Sequence, residues 1–208
     1  MPEYAVSQPE AAELAVRILC DTLPAFLDAG YIVCATRDNQ LSSIDRIALL
    51  RAEGWIKKIL VCHGHLKSGY SGSEFVLSML ISRAITKNVV IFDCWAEEFN
   101  TFTETESLIM FAKYVGYKRI VISAPPFHQI RTFISCVSHA IKHYPELSLY
   151  SSPGIAMNWR EKVTHSQGIL EDTRANLIKG EWERLYRYHQ KGDLVSSQEV
   201  LSYLNQRS

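Results

Sequence analysis

A chain of 208 residues, 47% hydrophobic and 21% charged, can bury a full core and sits near the upper end of single-domain length. Lys plus Arg and Asp plus Glu each number 22, so no bulk positive field draws phosphate backbones or anionic lipid; neither nucleic acid nor a membrane is expected as a partner. Cys20, Cys34, Cys62, Cys94 and Cys136 are odd in number and widely spaced, which argues against a disulfide framework or a CxxC metal knuckle and for buried thiols in a reducing compartment.

The opening MPEYAVSQPEAAEL has early acids and no basic segment followed by an apolar one, so no signal peptide is expected. No apolar stretch approaches the length of a membrane span, and the predicted location is the cytoplasm. A helix is predicted within 9–28, bent or ended by Pro24. Short apolar runs rich in β-branched residues then recur at 31–35, 58–62, 89–93, 119–123 and, more weakly, 147–150, the pattern of strands covered on both faces. Helical periods at 41–53, 73–86, 105–115 and 127–143 separate them. This alternation with short connections predicts a Rossmann-like, doubly wound α/β fold with a mostly parallel sheet of about five strands. The α/β domain is expected over 1–153. The remainder, 154–208, is expected to be a helical extension packed on it, with helices at 170–191 and 197–204 that act as a buttress. Trp182, Leu185, Tyr186, Tyr188 and Leu194 offer more apolar surface than a buttress needs, which leaves room for a homodimer contact.

Ligands of open parallel sheets bind outside the carboxyl ends of the strands, and here each strand is followed by polar residues. Thr36, Arg37 and Asp38 follow the first. After the second comes HGHLKSGYSGSE, whose spacing resembles a P-loop except that Tyr70 stands where the phosphate-binding lysine belongs. No GxGxxG is present either. His63 and His65 are two apart and could share a metal or a phosphate, with Asp93 or His128 within conceivable reach. A metal is nonetheless not the expected reading, since no further ligand spacing supports one. In the third crossover, Thr103 and Glu106 have capping-box spacing, whereas Glu97 and Asn100 lie ahead of that cap and are expected to face a ligand. After the fourth strand, Pro126 opens a helix that places His128 and Arg131 three apart near its positive end, a setting for a phosphate or carboxylate.

The order of these motifs is similar to the YdcF/SanA/ElyC family of domains of unknown function. It comprises Ser73-Glu74 after a glycine-containing loop, an acidic Asn/Thr-rich crossover from Glu97 to Glu106, and then Pro126-x-His128-x-x-Arg131. The resemblance covers roughly 31–150, and Arg46 looks like the family's arginine in the first crossover helix. It implies a polar pocket over the sheet and a nucleotide-like ligand, with S-adenosylmethionine proposed for the cytosolic YdcF type. The Asn-Thr element aligns either through Asn100-Thr101 or through Thr103 and Glu106.

The expected function is therefore an enzyme or binding protein for a phosphorylated or nucleotide-like small molecule. His63, Glu97 and His128 are the candidate catalytic groups. Arg37, His65, Ser73, Glu74, Asn100, Thr101, Thr103, Glu106 and Arg131 are the candidate ligand contacts. A non-catalytic sensor of an adenosyl or nucleotide metabolite is the second expectation, and a metal-dependent hydrolase the third.

Overall fold

A strand buried on both faces needs an apolar side chain at nearly every position, and buried apolar runs such as those of 59–62 and 120–122 form the middle of the molecule. The computed structural model describes residues 8–63, 69–97, 99–165 and 170–207. Strands β1 (Leu27–Ile32), β2 (Ile56–His63), β3 (Val89–Asp93), β4 (Arg119–Ser123) and β5 (Ser148–Ser151) form a wholly parallel sheet in the order β3-β2-β1-β4-β5. Helices α1 (Gln8–Leu19), α2 (Arg37–Ala52), α3 (Ser73–Ile81), α4 (Thr101–Val115) and α5 (Gln129–His143) cover it. The expected Rossmann-like, doubly wound class is the observed one.

Alternate strand residues feed two core layers, as the two-residue period of a strand requires. Tyr31, Cys62 and Ile122 point to the layer shared with α1, α4 and α5, while Ile32, Val61 and Val121 point to the layer under α2 and α3. Gly30 makes room for side chains of β2 and α2: a Cβ there would lie 2.8 Å from Ile56 Cδ1 and 2.9 Å from Ile47 Cδ1.

The first strand runs Leu27–Ile32, not the predicted 31–35. Asp28, Ala29 and Gly30 are poor strand formers, but two neighbouring strands recruit them. Asp28 Oδ2 in addition accepts the backbone N–H groups of Lys118 and Arg119 at 2.8 and 3.0 Å. Helix α4 starts four residues earlier than predicted because its N-cap is Asn100, whose side chain accepts from Phe102 N and Thr103 N.

Beyond Pro153 the expectation of helices alone was wrong. Strands β6 (Lys162–His165) and β7 (Leu170–Thr173) form an antiparallel pair. Helix α6 (Arg174–Gln190) follows, capped by Thr173 and not reaching back to 170, and α7 (Ser197–Gln206) ends the chain's regular structure. The β7 sequence LEDT carries two acids and little β propensity, so its strand state comes from pairing. The hairpin and α6 are fastened over the β1–α2 connection. Thr36 Oγ1 and Asn39 Nδ2 donate to the Thr164 carbonyl at 2.8 and 3.0 Å, and Arg174 donates to Asn39 Oδ1 and the Asp38 carbonyl, each at 2.9 Å.

Leu185 and Leu194 are buried in the main core and Trp182 and Tyr188 pack against it, so the apolar surplus that pointed to a homodimer is largely consumed within the chain. Among the described residues, no helix is long and apolar enough to cross a membrane.

Candidate functional site

The strand order reverses between β1 and β4, and chain segments leaving neighbouring strands in opposite directions open a cleft at such a point. A cavity of about 420 Å³ lies there. Cys34, Ala35 and Thr36 after β1 and Pro125, Phe127 and His128 after β4 form two of its walls. The start of α4 supplies Asn100, Thr101 and Glu104, Tyr70 and Phe99 close it from the β3 side, and His165, Arg184 and Tyr188 close it from the C-terminal extension. A satellite core of Phe127, Val163 and Leu177 pins that extension against the β4–α5 turn.

At the α6 wall one carboxylate organises four cationic or imidazole groups. Glu181, 3% exposed, accepts from Arg131 Nε at 2.7 Å, His165 Nε2 at 2.8 Å and Arg184 Nη1 at 2.5 Å, and its Oε2 lies 2.5 Å from His128 Nδ1. Burial by itself would raise the Glu181 pKa, but the charge of Arg131 and the contact with His128 hold it well below the usual carboxylate range. Two guanidiniums against one carboxylate leave this wall net positive. His128, His165 and Glu181 present ligand atoms within 4.8 Å of one another. Both arginines already sit on that carboxylate, however, and their charge opposes a dication, so the trio suits an anion better than a metal.

An ionised carboxylate can only accept, so His128 carries its proton on Nδ1 and turns an Nε2 lone pair towards Thr101 Oγ1, 3.4 Å away. Burial first, then Arg131, lowers the His128 pKa to about 4, with Glu181 pulling the other way. The ring is therefore a neutral, oriented acceptor near neutrality.

Glu104 forms the floor. It is 1% exposed, accepts the Cys34 N–H at 2.8 Å and hydrogen-bonds the fully buried Tyr31 hydroxyl. Burial raises its carboxyl to about 7, despite these bonds, so it can hold or release a proton under ordinary conditions. Three thiols stand at the ends of β1, β2 and β3: Cys62 Sγ donates to the His63 carbonyl at 3.8 Å, and Ser107 Oγ donates to Cys94 Sγ at 3.5 Å. Burial pushes the Cys34 thiol up to about 11, while the neighbouring Cys62 thiol, then the Ser107 hydroxyl, bring Cys94 down to about 5.

Of the residues expected from sequence, His128, Arg131, Asn100 and Thr101 line this cavity. Those of the others that fall within the described residues lie elsewhere. His63 is exposed at the end of β2, with Nδ1 3.3 Å from the Oγ of buried Ser73. Glu74 and Glu97 are exposed, and the Arg37 guanidinium lies over the Phe75 ring at 5.0 Å. Asn100 is the N-cap and Thr103 its partner in the capping box, accepting the Asn100 N–H at 3.1 Å, so the box joins Asn100 and Thr103 and not the expected Thr103 and Glu106. Glu106 turns away to His143. His65 lies outside the described residues. The separation is geometric: each strand step is about 4.8 Å, so groups at the ends of β2 and β3 start one to two strands away from the β1/β4 cleft.

Glu181, Arg184, His165 and Glu104 escape a reading of sequence. In EWERLYRYH the charged residues look like the solvated side of an amphipathic helix, His165 sits in an unpredicted strand, and only its 1% exposure distinguishes Glu104 from the other acids of its segment. Arg46 is used structurally, donating from Nε to the Pro153 carbonyl at 2.9 Å.

Scanned against protein-family models the chain matches none, and no curated protein matches it.

Proposed function

We propose that the β1/β4 cavity binds a small phosphorylated, nucleotide-like molecule, and that His128 and Glu104 are its acid/base groups. The observation that carries this reading is the Glu181-centred cluster: Arg131, Arg184 and His128 held in place, with a net positive charge, at one wall of a cavity. Its size, about 420 Å³, falls within the usual range for small-molecule sites. Tyr70, Phe99 and Phe127 offer aromatic faces for a base, and the arginines suit a phosphate or carboxylate. S-adenosylmethionine, the ligand implied by the resemblance, carries both an adenine and a carboxylate and fits the same description. The Pro126-x-His128-x-x-Arg131 order agrees with that resemblance.

The test is a thermal-shift series with AMP, ADP, ATP, S-adenosylmethionine, a sugar phosphate and adenosine. A concentration-dependent rise is expected for one or more of the anionic compounds and a smaller rise for adenosine. Equal shifts with AMP and adenosine, or no shift with any compound, would overturn the reading. With a ligand in hand, His128→Ala distinguishes an enzyme, which loses turnover, from a sensor, which loses affinity alone.

A further inference from the structure

One helical turn behind the cavity wall, α4 and α5 bring together three side chains that play no part in the site described above. His139 and His143 are four residues apart on α5 and so share a face, their rings stacked with centroids 6.1 Å apart. Glu106 projects from α4 to meet them, its Oε1 3.2 Å from His143 Nε2. The ligand atoms of all three lie within 4.8 Å of one another.

Two features are poorly explained by packing. His139 is 2% exposed, yet its Nε2 has no hydrogen-bond partner, a costly state for a buried polar atom. His143 Nε2 is likewise buried without a hydrogen bond, because its approach to Glu106 is close but misaligned. The His139 ring is meanwhile packed against the Phe102 ring, whose centroid is 4.3 Å away. A buried imidazole nitrogen without a protein partner, on a ring fixed by its packing, is suited to a metal ion.

We propose that Glu106, His139 and His143 bind a divalent transition-metal ion of the zinc class, which clamps α4 to α5. Two imidazoles and a carboxylate select zinc, cobalt or nickel over magnesium or calcium, and the fourth position falls to water. Tetrahedral zinc places its ligand atoms about 3.3 Å apart. Glu106 and His143, with side chains 41% and 25% exposed, have the freedom to close that far around a fixed His139. Burial keeps His139 unprotonated down to about 4, so protons do not compete for it near neutrality. Lys142 beside His139 and Lys113, bonded to the His143 carbonyl at 2.9 Å, oppose the ion electrostatically and make the site one of moderate affinity. Because α4 carries Thr101 and Glu104 and α5 carries Arg131, the clamp would brace two walls of the cavity from outside it.

The test uses the full chain, stripped with chelator and titrated with Co²⁺ alone. One equivalent should bind with visible d–d absorption, and Zn²⁺ should displace it. Glu106→Gln and His143→Ala, both at partly exposed positions, should each weaken binding at least tenfold, whereas the exposed His63→Ala should leave it unchanged. Zn²⁺ at a hundredfold excess over its Kd should raise the wild-type melting temperature by about 5–10 °C, and in His143→Ala the rise should disappear. A cooperative melt of each variant without metal establishes that it folds. Absence of Co²⁺ binding, or binding that survives both Glu106→Gln and His143→Ala, overturns the proposal.

Discussion

His128 Nδ1 lies 2.5 Å from Glu181 Oε2 across 53 residues of sequence, both side chains 4% exposed. This contact ties the start of α5 to the middle of α6, and the same carboxylate also takes Arg131, Arg184 and His165. The cavity's charged wall thus depends on one acid from the C-terminal extension.

Glu181→Gln should accordingly be among the most damaging single changes in the protein. It keeps the shape but leaves Arg131 buried without its counter-charge, a loss of roughly 3–5 kcal/mol when one partner of a buried pair is removed. Urea unfolding should show a lower midpoint with an unchanged slope. A midpoint within error of wild type would mean that the cluster is not cohesive.

Stability should depend on pH in two opposed ways. His128 and His139 are each lowered from 6.5 to about 4, chiefly by burial, so the unfolded chain takes up these protons before the folded one does. Their contribution is full above 6.5 and is lost as pH falls towards 4, on the order of 3 kcal/mol each at most. Glu104, raised from 4.5 to about 7 by burial, acts in reverse: its contribution is present below 4.5 and lost as pH rises through 7. Glu104→Gln should therefore gain on wild type as pH climbs through that interval, measured by denaturant midpoints at each pH. A constant gap between the two proteins would contradict the raised carboxyl.

Gly154→Ala should destabilise by about 1–3 kcal/mol, as overpacking does. A Cβ there would lie 2.3 Å from Ser42 Oγ and 2.8 Å from the Ser42 carbonyl carbon. The backbone cannot retreat readily, because the Gly154 N–H is bonded to the Ala124 carbonyl at 2.8 Å and the next N–H to the Ser42 carbonyl at 2.9 Å. Differential scanning calorimetry of the variant measures the cost.

Cys94 should react first with iodoacetamide at about pH 6, where an ordinary thiol is almost wholly protonated. The neighbouring Cys62 thiol, then the Ser107 hydroxyl, hold its thiol down to about 5, and the exposed Cys20 is the competing site. Peptide mapping after brief labelling decides between them, and prior modification of Cys20 would count against a Cys94 thiolate.

Much of the fold was legible because the signals for it are local. β3 and β4 were read at their observed limits from continuous apolar runs, and helix-period stretches lay between the strands where α2 to α5 stand. Boundaries slipped where neighbours overrode propensity, at Asp28 to Gly30 in β1 and in the LEDT strand β7. His128 and Arg131 could be paired in advance because a spacing of three is a helical neighbour relation, satisfied within one turn.

The sequence by itself determined the alternation of strand and helix and the placement of polar residues at the strand ends, since a buried run and its polar exit are properties of consecutive residues. Only the tertiary structure decided which of those exits meet. The reversal of strand order between β1 and β4 admits Thr101 and His128 to one cavity and leaves His63 and Glu97 outside its lining. The long-range packing of α6 turns Glu181, one acid on an otherwise charged helix, into the buried centre of the site. Periodicity reports how a residue is disposed towards its own element, and burial among elements distant in sequence is set by their packing alone.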